Sequence, residues 1–404
     1  MKIALVHDFL REYGGAERVV EAIHEIWPDA PLYTSFVDWK ALGRHAERFR
    51  GWDIRTSWVQ KNWLVKKFHS PLRFLAPRIW ENIDLSGYDV VLTSSGWFMS
   101  RAVAMNRVSS IVDCSSCLNS KIINHELQTK NQVHICYIHH PPRNLYGYAT
   151  GSNLQKYPLV RIYTAIVNFF LRHYDFQTAQ SVDYFIANSK ETARRVKKFY
   201  RRESTVIYPP ITISNYPISN PPSANWRRRT NTPIKNKNEQ NKYYLSVGRL
   251  SWAKRADLAI EACNKLKEQL VIVGSGKEEQ YLRSIAGPTI TFAGSVSDEE
   301  LARFYEGAKA LIFTALEEDF GMVLAEAMAH GVPVIALAQG GVTETVIDGK
   351  TGILFYEPTV VSLLSAIKQF NNITISPAAC ITQAKKFSKV RFQKEIKHFV
   401  QSHI

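Results

Sequence analysis

Two pairs of side chains in the second half of the chain have the types and spacing to hold a phosphorylated sugar. Arg249 and Lys254 lie in "GRLSWAKR" (248–255), directly after an apolar run, 243–248, that reads as a buried strand. At a strand's carboxyl end, a planar guanidinium and a compact ammonium suit a diphosphate; a loop of solvated charges is the plainer alternative. Glu318 and Glu326 bracket Asp-Phe-Gly and an apolar stretch in "EEDFGMVLAEAMAHG" (317–331). Carboxylates accept paired hydrogen bonds from vicinal hydroxyls. A helix starting near Gly321 would aim its positive amino end at a ligand, with Gly321 permitting close approach. Alone, Glu326 would read as an exposed helix acid; the arrangement as a whole argues for a ligand. Gly14-Gly15, before a helical stretch, is a further candidate anion seat, with a plain tight turn as its equal rival. "VGSGK" (273–277) is a second glycine loop of the same kind.

Positioning such groups requires strands that end in loops. "KIALVH" (2–7) reads as a buried parallel strand, "DFLREYGG" (8–15) as a loop, and "AERVVEAIHEIW" (16–27) as a helix stopped by Pro28. "YDVVLTSS" (88–95), "HICYIHH" (134–140) and "VDYFIANS" (182–189) are further strands with polar ends. After 212–241, which is rich in Asn, Pro, Ser and Arg, strands and helices alternate regularly to residue 338. Such alternation predicts parallel sheets covered on both faces, with ligands at the carboxyl ends of their strands. The expected organisation is α/β: an amino-terminal domain over 1–211, a polar linker or insertion over 212–241, a second domain over 242–386, and a helix over 387–404 packing back on the first. The two domains are expected to face each other across a cleft.

At 404 residues the chain exceeds one ordinary core, and 45% hydrophobic with 22% charged residues excludes general disorder. The opening apolar run, Ile3-Ala4-Leu5-Val6, is shorter than a secretion signal requires. The best candidate for a membrane span, Ile162 to Leu171, is too short and flanked by Arg161 and Arg172. A cytoplasmic chain is therefore expected. Its five cysteines include one C-x-x-C, Cys114 and Cys117, without a second pair or histidines at zinc spacing, so reduced thiols are expected. The net charge of +15 calls for an anionic partner: nucleic acid, a membrane surface or a phosphorylated substrate. Segment 54–74 interleaves Trp58, Trp63, Leu64 and Phe68 with Lys61, Lys66, Lys67 and Arg73. That mixture suits an anionic membrane interface, on which the protein would sit peripherally; a solvated helix face over a core stripe is the alternative. The runs 193–202 and 226–229 are also basic, the first reading as plain surface.

The stretch 318–336 resembles the Glu-x7-Glu signature of retaining glycosyltransferases of family four (GT4), which have the GT-B fold of two Rossmann-like domains. The stretches 246–262, 292–301, 187–196 and 13–19 fit the same family in the same order. "CYIHHPPRNLYGY" (136–148) further resembles a mannosyltransferase-like branch that builds bacterial surface polysaccharides. The resemblance implies a hexosyl transfer from a nucleotide-diphosphate sugar, GDP-mannose first and UDP-sugars next, to a saccharide or lipid-linked acceptor. It implies that Gly14 and Gly15 offer the donor backbone N–H groups and that Arg249 and Lys254 grip its diphosphate. Glu326 would bind the ribose, Glu318 the transferred sugar, with Phe320, Gly321, Met322 and Val323 supplying N–H groups nearby. Val296 would lie against the base, His139 on the sugar and acceptor side, and Arg143 at an acceptor phosphate. There is no Asp-x-Asp motif, so no metal cofactor is expected. The stretch 104–133 is longer than the family's usual link, which leaves the acceptor open.

Two other readings compete with this one. A nucleotide-sugar epimerase of the same architecture would share the domains but not the ordered 248–255 and Glu-x7-Glu segments. A non-catalytic nucleic-acid-binding protein would use the basic clusters at 54–74 and 226–229, yet no recognition motif accompanies them, and no nucleic-acid partner is expected.

Overall fold

The computed structural model of the protein describes residues 1–104, 132–151, 156–211 and 243–404. Cys114 and Cys117, most of the 104–133 stretch and the 212–241 stretch with its basic run at 226–229 lie outside the described residues.

The first seven strands are β1 (Ile3–His7), β2 (Leu32–Thr34), β3 (Ile54–Thr56), β4 (Val90–Ser95), β5 (Val133–Ile138), β6 (Tyr184–Ala187) and β7 (Thr205–Val206). They form one sheet in the order β3-β2-β1-β4-β5-β6-β7, every pairing parallel. The next six are β8 (Tyr243–Val247), β9 (Leu270–Val273), β10 (Ile290–Gly294), β11 (Ala308–Phe313), β12 (Val334–Leu337) and β13 (Gly352–Phe355). They form a second parallel sheet in the order β10-β9-β8-β11-β12-β13. Strands β1, β4, β9 and β12 are buried along their whole length, as continuous apolar runs covered on both faces must be. In each sheet the strand order reverses once, between β1 and β4 in the first and between β8 and β11 in the second. Ligands of doubly wound sheets sit at the carboxyl ends of the strands at such reversals.

The chain divides into two compact units. One comprises Met1–Gly147, Gln155–Tyr208 and Gln393–Ile404, the other Tyr148–Leu154 and Pro209–Phe392. In the short piece after Gly147, which belongs to the second unit, the Ala149 N–H donates to the Glu317 carboxylate at 2.7 Å. The last helix, Lys389–Gln401, starts in the second unit, where the Lys389 N–H donates to the Ile211 carbonyl at 3.2 Å. Its later part belongs to the first, where the Gln393 amide donates to the Ala22 carbonyl at 3.2 Å.

The first unit contains a buried ion pair. Arg101 is fully buried and donates to the Asp175 carboxylate, which also accepts from the Tyr146 hydroxyl at 2.7 Å. The Arg101 guanidinium lies 5.0 Å from the Tyr200 ring centroid. Asp175 comes from the long helix Pro158–Gln180, so this pair fastens that helix to the turn Ser100–Ala104. Segment 54–74 is not one amphipathic helix. It runs as β3, the turn Trp58–Lys61, the short helix Trp63–Lys67 and the start of the turn Arg73–Leu75. Ser57 and Asn62 cap two of these pieces with their side chains, and Val59 and Val65 enter the core. Cys136, Cys263 and Cys380 are free and buried; burial pushes the Cys136 thiol up to about 12 despite Arg101 nearby. Among the described residues no helix is long and apolar enough to cross a membrane.

Candidate functional site

In the second unit a pocket opens at the strand-order reversal. It is lined by Ser246–Leu250 at and beyond the end of β8, by Lys254, and by Ile312–Thr314 at the end of β11. Arg249 is exposed at its rim. Lys254 ends the turn Trp252–Lys254, and its ammonium donates to Glu318 Oε2 at 2.6 Å. The same ammonium lies 5.4 Å from the Phe313 ring centroid. Both partners keep some contact with solvent, 28% for the Lys254 side chain and 18% for Glu318. This acid and this base are thus held together at the place where the fold puts ligands.

Backbone hydrogen bonds fix the loops that carry them. The Leu316 N–H donates to the Ala253 carbonyl at 2.8 Å, and Thr314 Oγ1 donates to the carbonyls of Lys254 at 3.0 Å and Arg255 at 2.8 Å. Behind Arg249, the Leu250 N–H donates to the Ser275 carbonyl at 2.9 Å. Gly274 sits so close that a Cβ there would lie 2.0 Å from the Gly248 carbonyl oxygen, and its φ is +127°. Glycine is required at 274 for both reasons. The 273–277 loop therefore works as a backbone buttress beneath Arg249.

A second close approach was not anticipated. A Cβ on Gly340 would lie 2.1 Å from the Glu318 carbonyl oxygen, and the Gly341 N–H donates to that same oxygen at 2.8 Å. Thr345 Oγ1 holds the Phe320 carbonyl at 2.9 Å. The adjacent glycines in "AQGGV" (338–342) were the available signal, but nothing in the sequence tells which backbone they touch. Glu317 was also passed over. Its φ is +50°, its N–H donates to Gln339 Oε1 at 3.3 Å, and its carboxylate receives Ala149.

Gly321, with φ +81°, is the N-cap of the helix Met322–Ala329. Met322 and Val323 form its first turn and are half-buried, whereas the Phe320 ring is buried against Phe387, 5.1 Å between centroids. Any part Phe320 plays toward a ligand falls to its backbone. Glu326, in the second turn, is 8% exposed and accepts from the Tyr305 hydroxyl at 3.4 Å. Tyr305 stacks on His330 at 5.2 Å. Burial holds His330 below the ordinary imidazole value, with the charge of Glu326 opposing. Glu318 thus meets the pocket through Lys254, and Glu326 is buried on the helix against Tyr305. Val296, half-buried, follows β10, two strands away from β8.

The other sequence candidates belong to the first unit. Gly14 is the N-cap and Gly15 the first residue of the helix Gly15–His24. The anion at this helix end is the chain's own: the Gly14 N–H donates to Glu17 Oε2 at 2.8 Å. Glu17 Oε1 in turn lies 3.4 Å from His7 Nε2. His7 Nδ1 is 3.2 Å from Ser94 Oγ, and Ser94 Oγ is 2.7 Å from His139 Nε2. His139 is thereby the last of four linked buried groups that run from Glu17 across the ends of β1 and β4. Burial alone would lower the His7 proton affinity, but Glu17, Asp8 and the Ser94 carbonyl raise it above the ordinary value. The Asp8 carboxylate accepts from the N–H groups of Gly96, Phe98 and Ser100 at 3.0, 3.0 and 2.9 Å. Arg143, half-buried, occupies the turn whose carbonyl accepts from the Tyr146 N–H at 3.3 Å.

Residues 227–387 match the family described as "Glycosyl transferases group 1". The chain is similar to the D-inositol 3-phosphate glycosyltransferase of a Nocardioides species, 29% identical over 206 residues, 44% of this chain and 43% of that protein. It is similar to the Mycobacterium leprae enzyme of the same name, 26% identical over 217 residues, 50% of this chain and 49% of that one. The chain thus spans about half the length of these curated relatives. Two solved structures align over their whole length and all of this chain. One is the lipopolysaccharide outer core galactosyltransferase WaaB, at TM-score 0.66 and 15% identity. The other is HepE from Anabaena in complex with UDP and glucose, at TM-score 0.66 and 19% identity. The fold is GT-B, with two parallel-sheet α/β domains.

Proposed function

We propose that the protein is a retaining glycosyltransferase that moves a hexose from a nucleotide-diphosphate sugar to a saccharide or lipid-linked acceptor, in the synthesis of a cell-surface polysaccharide or glycolipid. The observation that carries this reading is the Lys254–Glu318 pair at the strand-order reversal, 2.6 Å between ammonium and carboxylate, with Arg249 at the pocket rim. As the bond from sugar to diphosphate breaks, negative charge grows on the phosphate. Lys254 and Arg249 stabilise that charge where it develops, without rearranging at the moment of reaction. Glu318, already facing the cation, takes sugar hydroxyls. The buried Glu326 takes the ribose hydroxyls, and the backbone N–H groups at the start of Met322–Ala329 add the positive end of a helix. Attack by the acceptor hydroxyl from the face the diphosphate leaves retains the sugar's configuration. The charge neutralisation belongs to side chains, and the reading assigns no metal to the site. Within the first unit it assigns the sugar and acceptor to His139, an acceptor phosphate to Arg143 and the donor phosphates to the Gly15 N–H.

GDP-mannose is the first donor to test, on the resemblance of residues 136–148. UDP-sugars are tested beside it, since the similar protein HepE was solved with UDP and glucose. A thermal-shift series with GDP, UDP and their sugars is expected to pick out one base, since a ligand of the folded state stabilises it by mass action. Transfer of labelled sugar is then expected to fall about 10²–10³-fold in Lys254→Ala, the usual loss for one group that stabilises a growing charge. Glu318→Ala is expected to lose transfer with little change in melting temperature, because its carboxylate is partly solvated. Near-normal turnover in both variants would refute the assignment of the site.

A further inference from the structure

The helix Pro158–Gln180 is set in the first unit with its apolar stripe facing outward. Leu159, Ile162, Tyr163, Ile166, Phe169 and Phe170 are 82, 59, 37, 57, 66 and 67% exposed. At 100° per residue these six fall within an arc of roughly 120°. The opposite face carries Leu171, Asp175, Thr178 and Ala179, all buried, with Asp175 fastened to Arg101. A helix normally turns its large apolar side chains toward the core. Here a polar anchor fixes the rotation and leaves the apolar side in solvent.

The stripe has a neighbour of the same character. Arg73 donates to Asn168 Oδ1 at 2.6 Å, and the Tyr163 hydroxyl donates to the Pro71 carbonyl, so the end of segment 54–74 lies against this helix. That segment exposes Trp63, Phe68 and Phe74 by 64, 44 and 47%. Exposed apolar side chains gathered on two adjoining segments are the usual mark of a docking site. Its charge identifies the occupant. Residues 54–74 contain five Lys and Arg and residues 156–174 three, and neither stretch contains an Asp or Glu. Lys61, Lys67, Lys156, Arg161 and Arg172 are exposed around the apolar side chains. Two copies of such a surface, face to face, would set cation against cation. A layer of anionic headgroups over hydrocarbon answers both features: rings and aliphatic side chains enter the acyl boundary and the cations stay among the phosphates.

We propose that this face of the first unit, the outer side of 158–170 together with 63–74, is an in-plane docking surface for an anionic lipid bilayer. The inference goes beyond the reading of the nucleotide site and does not depend on it, since every residue involved lies in the first unit. The full chain is expected to sediment with vesicles of phosphatidylcholine and phosphatidylglycerol at least about tenfold better than with phosphatidylcholine alone, and less well as salt is raised. Phe169→Ser with Phe170→Ser is expected to cut partitioning about tenfold or more. Lys67→Glu is expected to cut it at least about fivefold, the worth of one lysine near an anionic surface. The substituted side chains are solvent-exposed, so the melting temperature and the nucleotide-induced thermal shift are expected to stay at parent values, which separates failure here from failure of the transferase reading. Equal partitioning of the parent into neutral and anionic vesicles would overturn the proposal. So would unchanged partitioning of the double variant. A concentration-dependent dimer that the double variant dissociates, without vesicle binding by the parent, would assign the face to a second copy and likewise overturn it.

Discussion

The two sheets share a plan but treat the carboxyl ends of their central strands in opposite ways. In the second unit, Gly248, Gly274, Gly340 and Gly341 bring backbone against backbone, and the pocket keeps one cation–carboxylate pair in contact with water. In the first, the reversal between β1 and β4 is filled by side chains of the chain itself. Asp8 takes three N–H groups, and Glu17, His7, Ser94 and His139 join in series. The charged pair in the second unit keeps contact with solvent, whereas the charges at the corresponding place in the first are buried. The same fold position can therefore be open or filled, and solvent contact, not position, tells which.

The contrast can be broken most severely at its most buried charge. Arg101→Met leaves Asp175 with no cation in a dry interior, and removing one partner of such a pair costs roughly 3–5 kcal/mol. Denaturant unfolding of the first unit should show that loss, while nucleotide stabilisation of the second unit persists in what remains folded. A smaller effect is expected in the second unit from Gly274→Ala. There the new Cβ meets the Gly248 carbonyl at a φ that L-residues avoid, a strain of about 1–3 kcal/mol. Nucleotide affinity should weaken together with melting temperature, because the buttressed loop carries Arg249. The mildest test uses two histidines of opposite sign. His7 is raised above its ordinary 6.5, so its charged pairing with Glu17 stabilises fully below that pH and is lost as pH rises through the raised value. His330 is held below 6.5 by burial, so its neutral form stabilises above that pH and is lost as pH falls through the lowered value. Each single proton bounds the slope at about 1.4 kcal/mol per pH unit. His7→Gln should flatten the alkaline side of the stability profile and His330→Gln the acidic side; the reverse pattern would invalidate the comparison.

Much of the second unit was legible in the sequence because its information is local. Strand–helix alternation pointed to the sheet, and "GRLSWAKR" to the loop after β8 whose Arg249 and Lys254 line the pocket. The exposed stripe was not legible. Leu159, Ile162 and Ile166 recur with the period that ordinarily means burial, so the segment was weighed only as a membrane span. What turns it outward is Arg101, 74 residues away in sequence from Asp175, and no local pattern carries that contact. The role of Gly340 was hidden for the same reason, since its partner backbone at Glu318 comes from a different loop. Glu17 reads in the sequence only as one residue of the helical stretch 16–27. Its link through His7 and Ser94 to His139 needs three separate strand ends to meet.

The interleaved glycine loops have a consequence for motion. The amides of Gly248, Leu250, Gly274, Leu316 and Gly341 lie outside regular strands, yet each donates to a carbonyl of another loop or strand end at 2.8–3.0 Å. Backbone bonding between neighbouring segments thus runs on past the formal margin of the sheet. Deuterium uptake at these five positions should lag with the central strands instead of racing with the surface turns, so the loops around the pocket are held in place before any ligand arrives.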